Sequence, residues 1–127
     1  MKTIELKKLL QEFEESIIYN EDLKKKNWFN IGGKAKVFFK ANELKDLVKF
    51  LKILNNKEKI HVIGAGSNTL ITDEIFDGVV IKLGKNFNRL SILNSDVIIS
   101  GTAVKDKKLS EFAADNGLSG FEFLFCI

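Results

Sequence analysis

Residues 61–84 read HVIGAGSNTLITDEIFDGVVIKLG, and the fold turns on the residues behind the two glycines. An apolar run ends at Gly64, and Gly64 and Gly66 flank one small residue, which lets the backbone approach something closely. A doubly wound dinucleotide fold needs a third glycine three positions after the second, where the next helix packs on the strand. Thr69 holds that position, and LITDEIFDG behind it carries no helical stripe. No Gly-Lys-Ser/Thr comes after it, which excludes a P-loop, and Ser67 lacks the G-x-S-x-G frame of a nucleophile elbow. What remains is a glycine-rich bend whose successive N–H groups form a concave nest for an anion such as a pyrophosphate. Ala65 and Ser67 are small enough to keep that nest open, and Ser67 and Asn68 add side-chain donors. The alternative is a tight strand-to-loop turn with Asn68 in the left-handed conformation.

Working outward, the pattern is helix, strand, helix, several strands and a last helix. Leu6, Leu9, Leu10, Phe13 and Ile17 follow one helical face and predict an amphipathic helix over 4–18. Trp28 and Phe29 are expected to anchor in the core rather than stack on a ligand ring, and Gly32-Gly33 signals a turn or close packing. AKVFFKA, residues 35–41, reads as a strand. Asn42 is expected to cap a second helix, because Leu44, Leu47, Val48, Leu51 and Leu54 recur at helical intervals. IHVIG reads as a short buried strand with His61 packed in the core, and DGVVIKLG as a strand entered through a turn at Asp77–Gly78. Asp73 and Asp77 read as ordinary turn formers. RLSIL and DVIISG suit a hairpin turning at Asn94–Ser95, and a third helix over about 105–116 stops at Gly117, a residue suited to a left-handed cap. The order is α+β, without the strict alternation of a doubly wound sheet.

Composition removes several chemistries. Cys126 is the only cysteine and His61 the only histidine, which leaves no internal disulfide and no cysteine cluster or histidine pair for a metal. Cys126, between Phe125 and Ile127, is expected to be an inert buried thiol. A net charge of +3 comes from scattered lysines and the single Arg89, a solvated surface with no nucleic-acid footprint. No apolar run is long enough for a membrane span, and the N-terminus has no signal-peptide core; a cytoplasmic protein with no evident protein partner is expected. Phe121, Phe123, Leu124, Phe125 and Ile127 keep the chain apolar up to its last residue, which predicts a chain cut off inside a folded region.

Three blocks, NWFNIGGKA, VIGAGSNTLITDEIFDGVVIKL and GLSGFEFLFCI, in this order and spacing, resemble the MurB family of UDP-N-acetylenolpyruvoylglucosamine reductases. The likeness runs from about Asn27 to Ile127, and the third block is what points to this family among PCMH-type flavoproteins. The resemblance implies an α+β, PCMH-type FAD-binding fold with FAD between two lobes, the first complete here and the second incomplete. It places Gly64, Ala65, Gly66, Ser67, Asn68 and Thr69 against the FAD pyrophosphate and leads from Gly120–Ile127 into a second flavin loop. It divides the chain into a helix and lead-in over 1–27 and a truncated FAD-binding domain over 28–127, with the C-terminal substrate domain absent. It implies a reductase that takes hydride from NADPH and delivers it through FAD to UDP-GlcNAc-enolpyruvate, giving UDP-N-acetylmuramate for peptidoglycan. The family's protonating serine, acidic partner and arginine lie downstream of the match. No catalytic residue and no metal ligand is carried over, and the chain alone is expected to be inactive and to hold FAD weakly or not at all. Cys126 departs from the family's small residue, and Lys34 stands where proline is common. The alternatives are another PCMH-type FAD-linked oxidoreductase, or a non-catalytic nucleotide-binding or interaction module.

Overall fold

In KAKVFFKA the apolar residues alternate and then double at Phe38-Phe39, the pattern of a strand buried on both faces. A computed structural model of the chain describes residues 3–126, with side chains over 4–125. It divides into two compact units, Met1–Leu83 and Gly84–Ile127.

In the first unit, strand β1 (Ile17–Asp22) runs antiparallel to β2 (Lys34–Ala41). Strand β4 (Phe76–Leu83) runs parallel to β2 and to β3 (Ile60–Ile63), giving the order β1-β2-β4-β3. Opposite Ala35 and Val37 the β2–β4 ladder shifts by one residue, with Phe76 facing Ala35 and Val79 facing Val37, so the extra residue is on β4 while β1–β2 stays in register. By simple alternation Ala35 would share a face with Val37 and Phe39. Ala35 nevertheless packs with Phe38, Leu23, Ile63 and Val80 in one buried cluster, with Ile71 and Phe76 against it. On the other side the Phe39 ring stacks on Phe50 with centroids 3.9 Å apart, and Phe13 meets both edge-on at 5.5 Å.

Phe50 comes from helix α2 (Leu44–Leu54), which ends on Asn55 in the left-handed conformation. The expected cap is displaced. Glu43 takes the N-cap position with no side-chain cap bond, its carbonyl accepting from Leu47 N–H at 3.1 Å; Asn42 lies one residue too early.

The helix expected over 4–18 is broken. Helix α1 (Thr3–Leu9) gives way to a 3₁₀ turn over Gln11–Ser16, with Phe13 outside helical geometry, and Ile17 starts β1. Leu6, Leu10 and Phe13 are still buried, because a helix continued by a 3₁₀ turn serves nearly the same spacing. Ile17 is buried through a different partner, opposite Phe39 in the β1–β2 ladder. The β-branched pair Ile17-Ile18 favours that pairing.

IHVIG forms the expected strand but not a buried one. β3 is the outer strand, and of its four residues only Ile63 is buried. His61 is therefore exposed rather than packed in the core, with its ring 6.4 Å from that of Phe76. The strand expected after a turn at Asp77–Gly78 begins instead at Phe76, and those two residues lie within the ladder region of β4. Asp73 does sit in a bend.

Asp77 is an ion-pair partner instead of a turn former. Lys36 Nζ lies 3.0 Å from Asp77 Oδ1 and 3.4 Å from Glu58 Oε2, whose side chain is 3% exposed. Donation from Lys36 lowers the Asp77 pKa, and donation to Asp77 raises that of Lys36 against the opposing effect of burial. A depressed carboxylate contributes stability above its unfolded pKa and loses it as pH falls through the folded value. A raised lysine contributes below its unfolded pKa and loses it as pH rises through the folded value. Asp77→Asn is therefore expected to lower stability by a constant amount between pH 5 and 9, and the gap to the wild type narrows below about pH 4. Urea titrations across pH check this; a gap that stays constant down to pH 2 would contradict it.

The second unit holds a 3₁₀ turn over Lys85–Phe87 and the expected hairpin of β5 (Leu90–Leu93) and β6 (Val97–Ser100). Leu93 pairs with Val97, and Asn94 takes the left-handed conformation in the turn. Helix α3 (Asp106–Asp115) ends as predicted on Gly117, at φ +70°. Leu118 N–H donates to the Ala113 carbonyl at 2.8 Å and Gly117 N–H to Ala114 at 3.0 Å, the paired closure of a Schellman motif. Residues Glu122–Cys126 form a last 3₁₀ turn, where Lys107 Nζ stands 5.1 Å from the centre of the Phe125 ring. The expectation for the Cys126 thiol falls outside the described side chains.

Candidate functional site

The glycine loop leaves the end of β3 and is fastened to the segment before β2. Gly66 sits at φ +74°, and its carbonyl accepts from Trp28 N–H at 3.0 Å. A Cβ on Gly66 would stand 2.2 Å from the Lys26 carbonyl oxygen and 2.7 Å from Asn27 Cα. The close approach that this glycine permits is therefore to the chain's own backbone. Further along, Gly33 N–H donates to the Thr72 carbonyl at 2.8 Å, and a Cβ there would meet Glu74 O at 2.1 Å. Two hydrogen bonds thus hold the loop against residues 26–33.

Gly64 is different. A Cβ on it would meet nothing within 4 Å, so this end of the bend is open. Among the described residues, no amide from Gly64 to Thr69 donates a turn or loop hydrogen bond to a backbone carbonyl. Buried or half-buried amides normally find a partner, and donors left over on a fixed bend suit an anion. The six residues singled out from the sequence lie on this one loop: Gly64, Ala65 and Asn68 exposed, Ser67 and Thr69 half-buried, Gly66 buried. The turn with Asn68 in the left-handed conformation is not what forms; Gly66 takes the positive φ and Asn68 does not.

Asn27, which no sequence pattern singles out, is the residue that shapes the facing segment. It is 5% exposed, and its Nδ2 donates to the carbonyls of Leu23 at 3.0 Å and Ile31 at 2.8 Å. Its Oδ1 accepts from Phe29 N–H at 3.0 Å. A buried side-chain amide with its groups satisfied acts as a local scaffold. Asn27→Ala would strand two carbonyls and an N–H, and is expected to cost about 2–3 kcal/mol in thermal or urea unfolding. A loss below about 0.5 kcal/mol would show that the segment holds its shape without it. The only cue in the sequence is a polar residue ahead of an aromatic pair and Gly-Gly, which is too common to be diagnostic.

Trp28 and Phe29 are not core anchors. They are 74% and 53% exposed, because the turn that Asn27 holds points the segment away from the sheet. No helix among the described residues is long and apolar enough to cross a membrane.

A mixed sheet running into a fixed glycine bend whose amides donate to no carbonyl in turns or loops is an arrangement compatible with an anionic ligand. The family model for the FAD binding domain matches residues 35–127. The UDP-N-acetylenolpyruvoylglucosamine reductase of Pelagibacter ubique (strain HTCC1062) is 61% identical over 127 residues, covering 100% of this chain and 42% of that protein. The enzyme of the same name from Rickettsia typhi (strain ATCC VR-144 / Wilmington) is 44% identical over 108 residues, 84% of this chain and 36% of its own. The crystal structure of UDP-N-acetylenolpyruvylglucosamine reductase (MurB) from Thermus caldophilus superposes with a TM-score of 0.64 at 26% identity. That match covers 87% of this chain and 37% of the other. The chain belongs to the FAD binding domain family, within its MurB branch of UDP-N-acetylenolpyruvoylglucosamine reductases. The α+β expectation holds, the fold is PCMH-like, and the cofactor is FAD. The chain spans less than half the length of these relatives.

Proposed function

We propose that Gly64, Ala65, Gly66, Ser67, Asn68 and Thr69 hold the pyrophosphate of FAD, and that the chain is the FAD-binding part of a cytoplasmic UDP-N-acetylenolpyruvoylglucosamine reductase. The observation that carries this is the set of amides from Gly64 to Thr69 with no carbonyl partner in turns or loops among the described residues, on a bend fastened through Gly66 to Trp28. Because the bend is fixed beforehand, amides that gather round a dianion there need little reorganisation when it arrives. Ser67 and Asn68 supply further donors at the rim, which accounts for an anion site without arginine. The open face at Gly64 leaves room for the ligand, while Gly66 serves the packing behind it.

When bound, FAD supplies the redox chemistry, accepting and returning a hydride. The residues of this chain bind and orient it, and none is assigned a proton-transfer role. Within the whole protein the proposed reaction is reduction of UDP-GlcNAc-enolpyruvate to UDP-N-acetylmuramate at the expense of NADPH, a step toward peptidoglycan. The proposed cofactor domain is residues 28–127, and the segment before it, 1–27, contributes β1 to the same sheet.

The test is FAD binding to the chain, monitored by flavin fluorescence, with inorganic pyrophosphate as competitor. Competition by pyrophosphate, with FMN at least about tenfold weaker than FAD, supports the assignment. FMN equal to FAD and indifference to pyrophosphate would move the contacts to the flavin ring and overturn it.

A further inference from the structure

The chain's only tryptophan lies outside the core beside the glycine loop. An indole that is 74% exposed gives up most of the burial that makes tryptophan useful in folding. Its backbone is nonetheless held firmly. Trp28 N–H donates to the Gly66 carbonyl at 3.0 Å, and the neighbouring Asn27 side chain ties Leu23, Phe29 and Ile31 together. A large π-surface on a fixed backbone, facing water next to an anion-binding bend, is the arrangement of a stacking platform.

We propose that Trp28 stacks on a planar heterocycle of the dinucleotide whose pyrophosphate the loop receives, a role that rests on the assignment of Gly64–Thr69 above. Both phosphates of a dinucleotide are joined through a sugar or sugar alcohol to a nitrogen heterocycle. A ligand anchored at the loop therefore carries ring systems to its surroundings, and Trp28 is attached to that loop by one hydrogen bond. Stacking recovers the burial that the indole lacks in the free chain. The two ends of the ligand, adenine and flavin, share the chemistry required and are separated by experiment.

Backbone amide NMR shifts of Ser67 and Asn68 give affinities for FAD, ADP, FMN and inorganic pyrophosphate in the wild type, Trp28→Ala and Trp28→Phe. Trp28→Ala is expected to weaken FAD roughly five- to a hundredfold, with Trp28→Phe recovering most of the loss. Inorganic pyrophosphate binds the variants as it binds the wild type, because it has no ring. A parallel loss for ADP assigns the stack to adenine, and one for FMN assigns it to the flavin. Unchanged FAD affinity in Trp28→Ala, with the loop amides still shifting, would overturn the stack and leave the pyrophosphate site standing. Loop amides that do not shift for any ligand at about 10 mM, where even weak binding to the chain alone registers, would overturn the site and the stack together.

Discussion

Gly66→Ala is expected to cost about 3–5 kcal/mol of folding free energy, while Gly64→Ala changes stability by less than about 1 kcal/mol. The two glycines look equivalent in the sequence, and the structure separates them. Gly66 sits at φ +74°, where any side chain is strained by about 1–2 kcal/mol. Its new methyl would also lie 2.2 Å from the Lys26 carbonyl oxygen, a backbone atom that cannot rotate away. Relief requires the loop to lift from residues 26–28, which breaks the bond from Trp28 N–H to the Gly66 carbonyl. Gly64 has neither constraint, with no positive φ and nothing within 4 Å of a Cβ. A methyl at Gly64 is instead expected to crowd the open face and weaken FAD. Urea unfolding of both variants, followed by circular dichroism, checks the ranking; equal losses would contradict it.

Phe39→Ala is expected to cost about 3–5 kcal/mol, a large share of the total stability of a domain this size. Phe39 is fully buried, stacks on Phe50 from α2 and receives the edge of Phe13 from the turn before β1. In the sheet it sits opposite Ile17 on one side and Ile81 on the other. Removing the ring leaves a cavity between elements that cannot all close in together. Phe29→Ala, at a side chain 53% exposed, is the control and is expected to fall within about 1 kcal/mol. Thermal or urea unfolding distinguishes the two; a Phe39→Ala loss no larger than that of Phe29→Ala would contradict the aromatic cluster.

The parts of the fold that are legible in the sequence are those decided by local spacing. The Leu44–Leu54 helix, the Lys34–Ala41 strand, the hairpin around Asn94 and the Gly117 cap all form where periodicity and turn chemistry put them, although α2 buries Phe50 and Leu54 and leaves Leu44, Val48 and Leu51 exposed. The misplaced features depend on what lies across the chain. Ile17 fits a helical face, yet its pairing with Phe39 draws it into a strand. His61 stands in an apolar run, yet β3 ends up at the sheet edge, and position in a sheet is set by non-local pairing. Trp28 and Phe29 have core composition, but Asn27 turns them outward through bonds to carbonyls on both sides.

The glycine loop divides in the same way. Its presence and its suitability for an anion come from the spacing of Gly64 and Gly66. The separate roles of the two glycines, one packing on Lys26 and one open, depend on a contact with a segment far earlier in the chain. The cofactor itself is legible only through the resemblance of three blocks of sequence, and the match over 35–127 to the FAD binding domain family agrees with it.

A structure of the chain with FAD bound decides where the cofactor is held. The pyrophosphate oxygens are expected within hydrogen-bonding distance of backbone amides between Gly64 and Thr69, with the Trp28–Gly66 bond intact. A bound FAD whose pyrophosphate lies elsewhere, with those amides facing water, would contradict the assignment.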